Sequence, residues 1–243
     1  MPSSSDAIPT TKDIDMPDPA QAEPASISLY EGIMTTRALR RFTDDPVDDA
    51  TISQILRAAQ QGPSGGNIQP WQFVVVTDEA TRTSVGELYH RCYARYEAAM
   101  LPTVGPFRSD ADEAAWNRTL GASRHLAAHL GDAPVLVLVC MADIDLTLRD
   151  DEGPLDIGTT YASAYPAVQN LMLAARSLGL GSVLTTVVRI EQDALRDLLG
   201  IPTSQQVIAL VPIGHPRGSF GVAPRRPVSA VTHWNRWGDR RRD

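Results

Sequence analysis

Residues 63–72 read Pro63-Ser64-Gly65-Gly66-Asn67-Ile68-Gln69-Pro70-Trp71-Gln72 and run straight into Phe73-Val74-Val75-Val76. Two prolines and two glycines favour a shaped turn over helix or strand. The apolar run behind them reads as a buried strand. Ser64, Asn67 and Gln69 therefore place side-chain donors and acceptors at the mouth of a strand. Such a turn can press backbone N–H groups and short polar side chains against a flat, heteroatom-rich ligand. Upstream, Arg37-Ala38-Leu39-Arg40-Arg41-Phe42 concentrates cationic side chains in a cluster suited to a phosphate. Lys12 is the only lysine in the chain, so the use of Arg is not by itself a sign of a bidentate anion clamp. The conjunction of the two segments is what points to a ligand.

Outward from this turn the hydrophobic pattern predicts a first helix over 28–36. A second opens near Pro46 and is stopped by Gly62-Pro63, with Ile52, Ile55, Leu56 and Ala59 on one face. Strands are expected at 71–76, 134–141, 182–188 and 206–213. Helices are expected at 79–100, 112–130, 162–178 and 191–199, and residues 143–158 read as acidic and irregular. Gly179 is a natural C-terminal stop. Gly179-Leu180-Gly181 is no dinucleotide fingerprint, because it follows a helix and opens a strand; a helix cap with close helix-to-strand packing fits it better. Strands interleave with helices, but the early helices come in pairs. That favours a three-layer α+β arrangement over a regular βαβ series.

With 243 residues and 43% hydrophobic content the chain can bury a sizeable core. A formal net charge of −7 argues against a nucleic-acid partner, while leaving room for a local basic pocket. Cys92 and Cys140 show neither disulfide density nor metal-ligand spacing, the usage of a reducing, cytoplasmic compartment. No apolar run approaches the roughly 18–20 residues of a bilayer span, so no membrane partner is expected. The start of the chain shows no secretory signal. Residues 1–26 carry five prolines and five acidic residues, too little apolar surface to offset ordering entropy. The expected organisation is a disordered tail over 1–27 and one domain over 28–243.

There is no P-loop, no His-Glu-x-x-His and no Gly-x-Ser-x-Gly. His125 and His129 share a helical face but lack a third ligand, so no metal site is expected.

From about residue 30 to 237 the chain resembles the nitroreductase family of FMN-dependent oxidoreductases. Four segments carry the likeness: Thr36 to Phe42 followed by Asp45-Pro46-Val47; the turn from Pro63 to Trp71; Gln169-Asn170-Leu171 with Gly179-Leu180-Gly181 and Val183-Leu184-Thr185-Thr186; and Arg225-Arg226-Pro227 with Trp234 to Trp237. The resemblance implies an α+β three-layer fold with a central mixed sheet flanked by helices. It further implies that Arg37, Ala38, Arg40, Arg41, Pro63, Ser64, Gly65, Asn67, Leu184, Thr185, Thr186, Arg225 and Arg226 contact FMN. Thr36 stands where the family has its first Arg, and Ala38 where it has Ser. Which arginine meets the phosphate and which the flavin ring is open at this point.

The resemblance also implies a homodimer with the flavin site at its interface. NADPH or NADH serves as transient donor, and a small electron-poor acceptor such as a nitroaromatic or quinone uses the same pocket. The flavin carries the hydride chemistry, so no catalytic side chain is expected. Relatives on the same scaffold set out the alternatives, reductive dehalogenases and flavin-cleaving enzymes. For a dehalogenase-type lid the stretch 87–128 offers Glu87, Tyr89, Tyr93 and Tyr96 but no lysine. A non-catalytic flavin-binding protein, for storage or sensing, is the remaining reading.

Overall fold

The computed structural model describes residues 27–142, 148–156 and 158–241. The tail expected over 1–26 lies outside the described residues, as do 143–147 and 157 in the acidic stretch.

Six helices are labelled in chain order: α1 (Leu29–Thr35), α2 (Asp49–Ala59), α3 (Glu79–Met100), α4 (Asp110–His129), α5 (Tyr165–Ser177) and α6 (Gln192–Leu199). The strands are β1 (Trp71–Val76), β2 (Val135–Ala142), β3 (Leu148–Asp150), β4 (Gly153–Leu155), β5 (Gly181–Ser182) and β6 (Gln205–Gly214). Side-chain caps fix several helix starts. Asp48 accepts from the Thr51 N–H at 2.8 Å and Asp78 from the Thr81 N–H at 2.8 Å, satisfying donors that the first helical turn leaves open. α4 starts at Asp110, two residues before the expected position. The Ser109 hydroxyl accepts from the Asp112 N–H, and Asp110, Asp112 and Glu113 sit at the positive end of the helix dipole.

The main sheet has the order β1-β2-β6-β5, and every strand pair in it is antiparallel. Its parallel element is a single bridge between Ala38 and Ser182, so the sheet is mixed only through that contact. β2 alternates strictly. Leu136, Leu138 and Cys140 join the cluster of α3, α4 and α6, while Val135, Val137, Val139 and Met141 join that of α2 and α5. In β6 a bulge opposite Val139 and Cys140 resets the alternation. Val207 and Leu210 face one layer, and Ile208, Ala209, Val211 and Ile213 the other. Helices cover both faces of the sheet: the three-layer α+β arrangement read from the sequence.

Two expectations need correction. The strand expected over 182–188 shrinks to Gly181–Ser182, followed by a lone bridge from Thr185 to Leu210 and a 3₁₀ turn at Val187–Glu191. Val183 and Val188 are buried in the core from this irregular path; a short apolar run reports burial without reporting backbone form. Part of the acidic stretch is ordered as the β3–β4 hairpin, whose turn is closed by Asp150 Oδ1 accepting from the Glu152 and Gly153 N–H groups.

Gly179 takes φ +77° while the Leu180 N–H returns to the Ala175 carbonyl at 2.8 Å, the helix stop expected there. A tighter constraint sits at Gly62, just after α2. A Cβ added there would lie 2.6 Å from the Ala167 backbone nitrogen in α5. Gly62→Ala must therefore push α2 away from α5 and strain the turn that begins at Pro63. It should lower stability by about 1–3 kcal/mol, read as a lower urea midpoint at unchanged slope.

Candidate functional site

Beyond α1 the chain runs as a strap against the open edge of the sheet. Leu39 is buried, and its N–H donates to the Ser182 carbonyl at 3.0 Å. The Thr43 N–H donates to the His215 carbonyl, and the Arg217 N–H to the Arg41 carbonyl. With Leu39 pinned inward, the arginines are dealt to different environments. Arg37 is exposed with no side-chain partner among the described residues. Arg41 is also exposed, but its Nη1 donates to His125 Nδ1 at 3.1 Å. Arg40 is half-buried beside Tyr89 and Tyr93 on α3, and burial pulls its guanidinium below the ordinary value.

The same pair of tyrosines reaches the segment after β5. The Tyr89 hydroxyl is hydrogen-bonded to Thr185 Oγ1 at 3.0 Å, a buried contact, and burial raises the phenol's pKa. Leu184 turns to the opposite side and packs on the α2–α5 cluster. Thr186 is exposed. Arg40, Thr185 and Tyr89 are thus gathered in one place from three distant parts of the chain.

α3 continues this wall with Tyr93, whose ring lies 6.4 Å from that of Tyr89. Burial first, and then the Glu97 carboxylate, push the Tyr93 phenol up to about 12. Its hydroxyl donates to Glu97 Oε1 at 3.4 Å, and Arg124 Nε on α4 donates to the same oxygen at 2.8 Å. Glu97 and Arg124 were missed by the sequence reading. The available signal was the one-turn spacing from Tyr93 to Glu97 on α3. Glu87, which that reading offered for this wall, lines a separate cleft with His90, Arg91 and Asp132.

The turn over 63–70 has the unusual backbone that its composition foretold. Gly66, Asn67 and Gln69 take φ of 58°, 54° and 46°. Glycine adopts this region freely and Asn tolerates it, whereas Gln69 is strained there. Ser64 Oγ accepts from the Gln69 N–H at 3.1 Å, so its acceptor closes the turn. The Gly65 N–H is taken by Ser163 Oγ at 3.1 Å, tying the turn to the approach of α5. Pro63, Gly65 and Asn67 remain exposed.

Arg225 and Arg226 lie on an exposed C-terminal arm that follows β6. Arg225 donates to the Pro224 carbonyl at 3.0 Å, and Arg226 has no partner among the described residues. No hydrogen bond or ion pair joins either to Arg37, so direct contact does not assemble the two arginine groups. Neither of two described clefts, one beside Glu87 and one lined by Asp44, Asp49, Glu79 and Arg82, contains any of the candidate residues. Among the described residues no group of His, Cys, Asp and Glu could hold a metal ion, and no helix is long and apolar enough to cross a membrane.

The model of the Nitroreductase family matches residues 33–215. A protein of Archaeoglobus fulgidus, provisionally named NADH dehydrogenase/NAD(P)H nitroreductase, is 33% identical over 76% of this chain and 83% of its own length. The 5,6-dimethylbenzimidazole synthase of Rhodospirillum rubrum is 31% identical over 74% of this chain and 78% of its own. Among solved structures, a mutant of an FMN and NADPH-dependent nitroreductase superposes with a TM-score of 0.63 at 25% identity, covering 86% of this chain and 99% of that one.

The Arg41 contact makes a pH prediction. His125 Nδ1 accepts a hydrogen bond from the Arg41 guanidinium, which requires that nitrogen to be unprotonated, and its pKa is lowered by burial first and then by Arg41 and His129; Asp132 opposes them. Unfolded His125 binds its proton at higher pH than folded His125. The contribution to stability is therefore complete above the ordinary histidine range and is lost as pH falls through the folded value. In an NMR titration His125 should titrate below an exposed histidine, and Arg41→Ala should move its midpoint upward.

Proposed function

Because the chain belongs to the nitroreductase family, we propose that it is an FMN-dependent oxidoreductase, taking hydride from NADPH or NADH and reducing small electron-poor acceptors such as nitroaromatics or quinones by two-stage exchange in one pocket. The observation that carries this reading is Arg40. Of the arginines shielded from solvent, Arg82 donates to the Gly131 and Ala133 carbonyls, Arg176 to Thr35, Arg189 to Tyr161 and Arg196 to the Gln205 carbonyl. Arg40 alone has neither hydrogen bond nor ion pair among the described residues. A partly desolvated cation without an anion is costly, and an electron-rich ligand edge would relieve that cost.

The donor set fits FMN. Arg37 and Arg226 are free to grip a phosphate, with Arg225 beside them, and each charge-assisted contact is worth roughly 1.5–3 kcal/mol. Arg40 is assigned to the flavin's pyrimidine edge, where a guanidinium stabilises the negative charge that reduction adds. The exposed Thr186 hydroxyl and the left-handed turn at Asn67 supply polar groups to the ring. When bound, FMN supplies the hydride transfer itself. The protein's own part is to hold the ring, offset its charge and leave one face open to donor and acceptor in turn.

Exposed apolar surface supports the homodimer with shared flavin sites. Leu29 and Tyr30 on α1 are 75% and 73% exposed, and Trp237 on the C-terminal arm is 90% exposed. Surface of this kind marks an interface. We take 28–243 as the working domain, with residues 1–26 dispensable, in the cytoplasm.

The purified protein should be yellow, release FMN and not FAD on heating, and bleach anaerobically with NADPH. A colourless protein, or one holding FAD, defeats the reading; flavin that no nicotinamide bleaches favours the storage alternative. Arg37→Ala with Arg226→Ala should weaken FMN binding by about tenfold or more, measured by titrating the flavin-free protein. Light scattering should give the mass of a dimer, and a flavin-loaded monomer would refute the shared site.

A further inference from the structure

Arg176, in the last turn of α5, is only 8% exposed and is the one charged residue in the buried set among the described residues. Its Nε donates to Thr35 Oγ1 at 3.0 Å, across 141 positions of sequence, and its Nη2 lies 3.5 Å from Glu31 Oε1. The Thr35 hydroxyl passes the bond on, donating to the Glu31 carbonyl at 2.7 Å. Its guanidinium carbon stands 3.9 Å from the centre of the Phe220 ring. The edge of the guanidinium plane thus addresses the end of α1, and its face addresses the chain beyond β6. Lysine has no such plane, and an apolar side chain has neither property.

Stability does not account for a charge in this position. A buried guanidinium sacrifices hydration, and an apolar side chain of similar volume serves a core at least as well. What Arg176 joins is more informative. Thr35 lies two residues before Arg37, and Phe220 lies five before Arg225 and six before Arg226. Among the described residues, the backbone over 218–226 makes no hydrogen bond to the rest of the chain. The stack on Arg176 is therefore the directional contact that orients this stretch.

We infer that Arg176 is a positioning residue for the phosphate end of the flavin site, a brace that sets Arg37 and Arg225–Arg226 toward one anion. The inference rests on the flavin reading above, and it adds a residue that touches no ligand and acts through Thr35 and Phe220.

Riboflavin, which has the ring of FMN without the phosphate, separates a brace from a general structural role. In the full-length, flavin-free protein, Arg176→Met and Arg176→Lys should each weaken FMN binding about tenfold or more while leaving riboflavin affinity within about twofold, and lysine should not rescue. In an Arg37→Ala background, Arg176→Met should add little, because the phosphate contact it serves is already gone. Phe220→Leu cuts the same brace at the solvent side, and it should lower both the FMN-to-riboflavin preference and the backbone NMR order parameters over 218–226. It decides the question if the Arg176 variants do not fold. An unchanged FMN-to-riboflavin ratio in the variants overturns the brace. If the wild type shows no FMN preference dependent on Arg37 and Arg226, the phosphate assignment itself has failed instead.

Discussion

β2 has no wet side, and the rest of the structure follows from that. All but the last of its eight residues are buried. A strand without water must bond its backbone to strands on both edges, and β1 and β6 take the two positions with antiparallel register. Its side chains must be covered on both faces, so α2 and α5 take one face and α3 with α4 the other. Once both faces and both edges of β2 are committed, a ligand can approach only at the periphery. The thin outer strand β5 is such a place: with just Gly181 and Ser182 in the ladder, it leaves the strap over 37–43 to finish the sheet.

That strap turns a fold requirement into a chemical one. Leu39 has to point inward to seal the edge, and its N–H has to reach Ser182. The neighbouring side chains then have little choice of environment. Arg40 is carried toward α3, where Tyr89 and Tyr93 strip some of its water without returning an anion. Tyr89 is committed to Thr185 and Tyr93 to Glu97, and both phenols are held protonated by burial. Neither can neutralise the guanidinium. The environment of Arg40 is therefore half-built: it is shielded like a core residue but left without the counter-charge that a core residue needs.

The fold was largely legible because its signals are strong. The continuous apolar runs of β1, β2 and β6, and helical spacing in α2 and α5, survive any detail of loop geometry. The turn over 63–70 was legible for a different reason: two glycines and two prolines in eight residues permit few backbones, and positive φ at Gly66, Asn67 and Gln69 is among them. The stretch after Ser182 was misjudged because Val183 and Val188 are buried, and Leu184 half-buried, without being strand, and composition responds to burial alone. Glu97 and Arg124 could not be paired in advance, since their contact depends on how α3 and α4 lie against each other. Arg176 was hidden in the same way. A helical apolar stripe with an arginine near its C-terminal end reads as a solvated side chain beside the helix dipole, and only the packed structure turns it inward.

The arginines show most clearly what structure adds to composition. In a chain with a single lysine, residue type cannot distinguish an anion clamp from a surface charge. Exposed arginines such as Arg57 and Arg118 need no protein partner, because water solvates them at little cost. Shielded ones do need partners, and Arg82, Arg189 and Arg196 find them in carbonyls, a phenol and a carboxylate. Each of these can be explained by the fold alone. Arg40 cannot, because it bears the cost of burial without a compensating contact among the described residues. Arg176 is the complementary case: its contacts are satisfied, but an apolar residue would fill the same space without sacrificing a hydrated charge. One arginine lacks a partner that a ligand could supply, and the other holds in place the segments that carry free arginines. Neither arrangement is one that core packing alone would select.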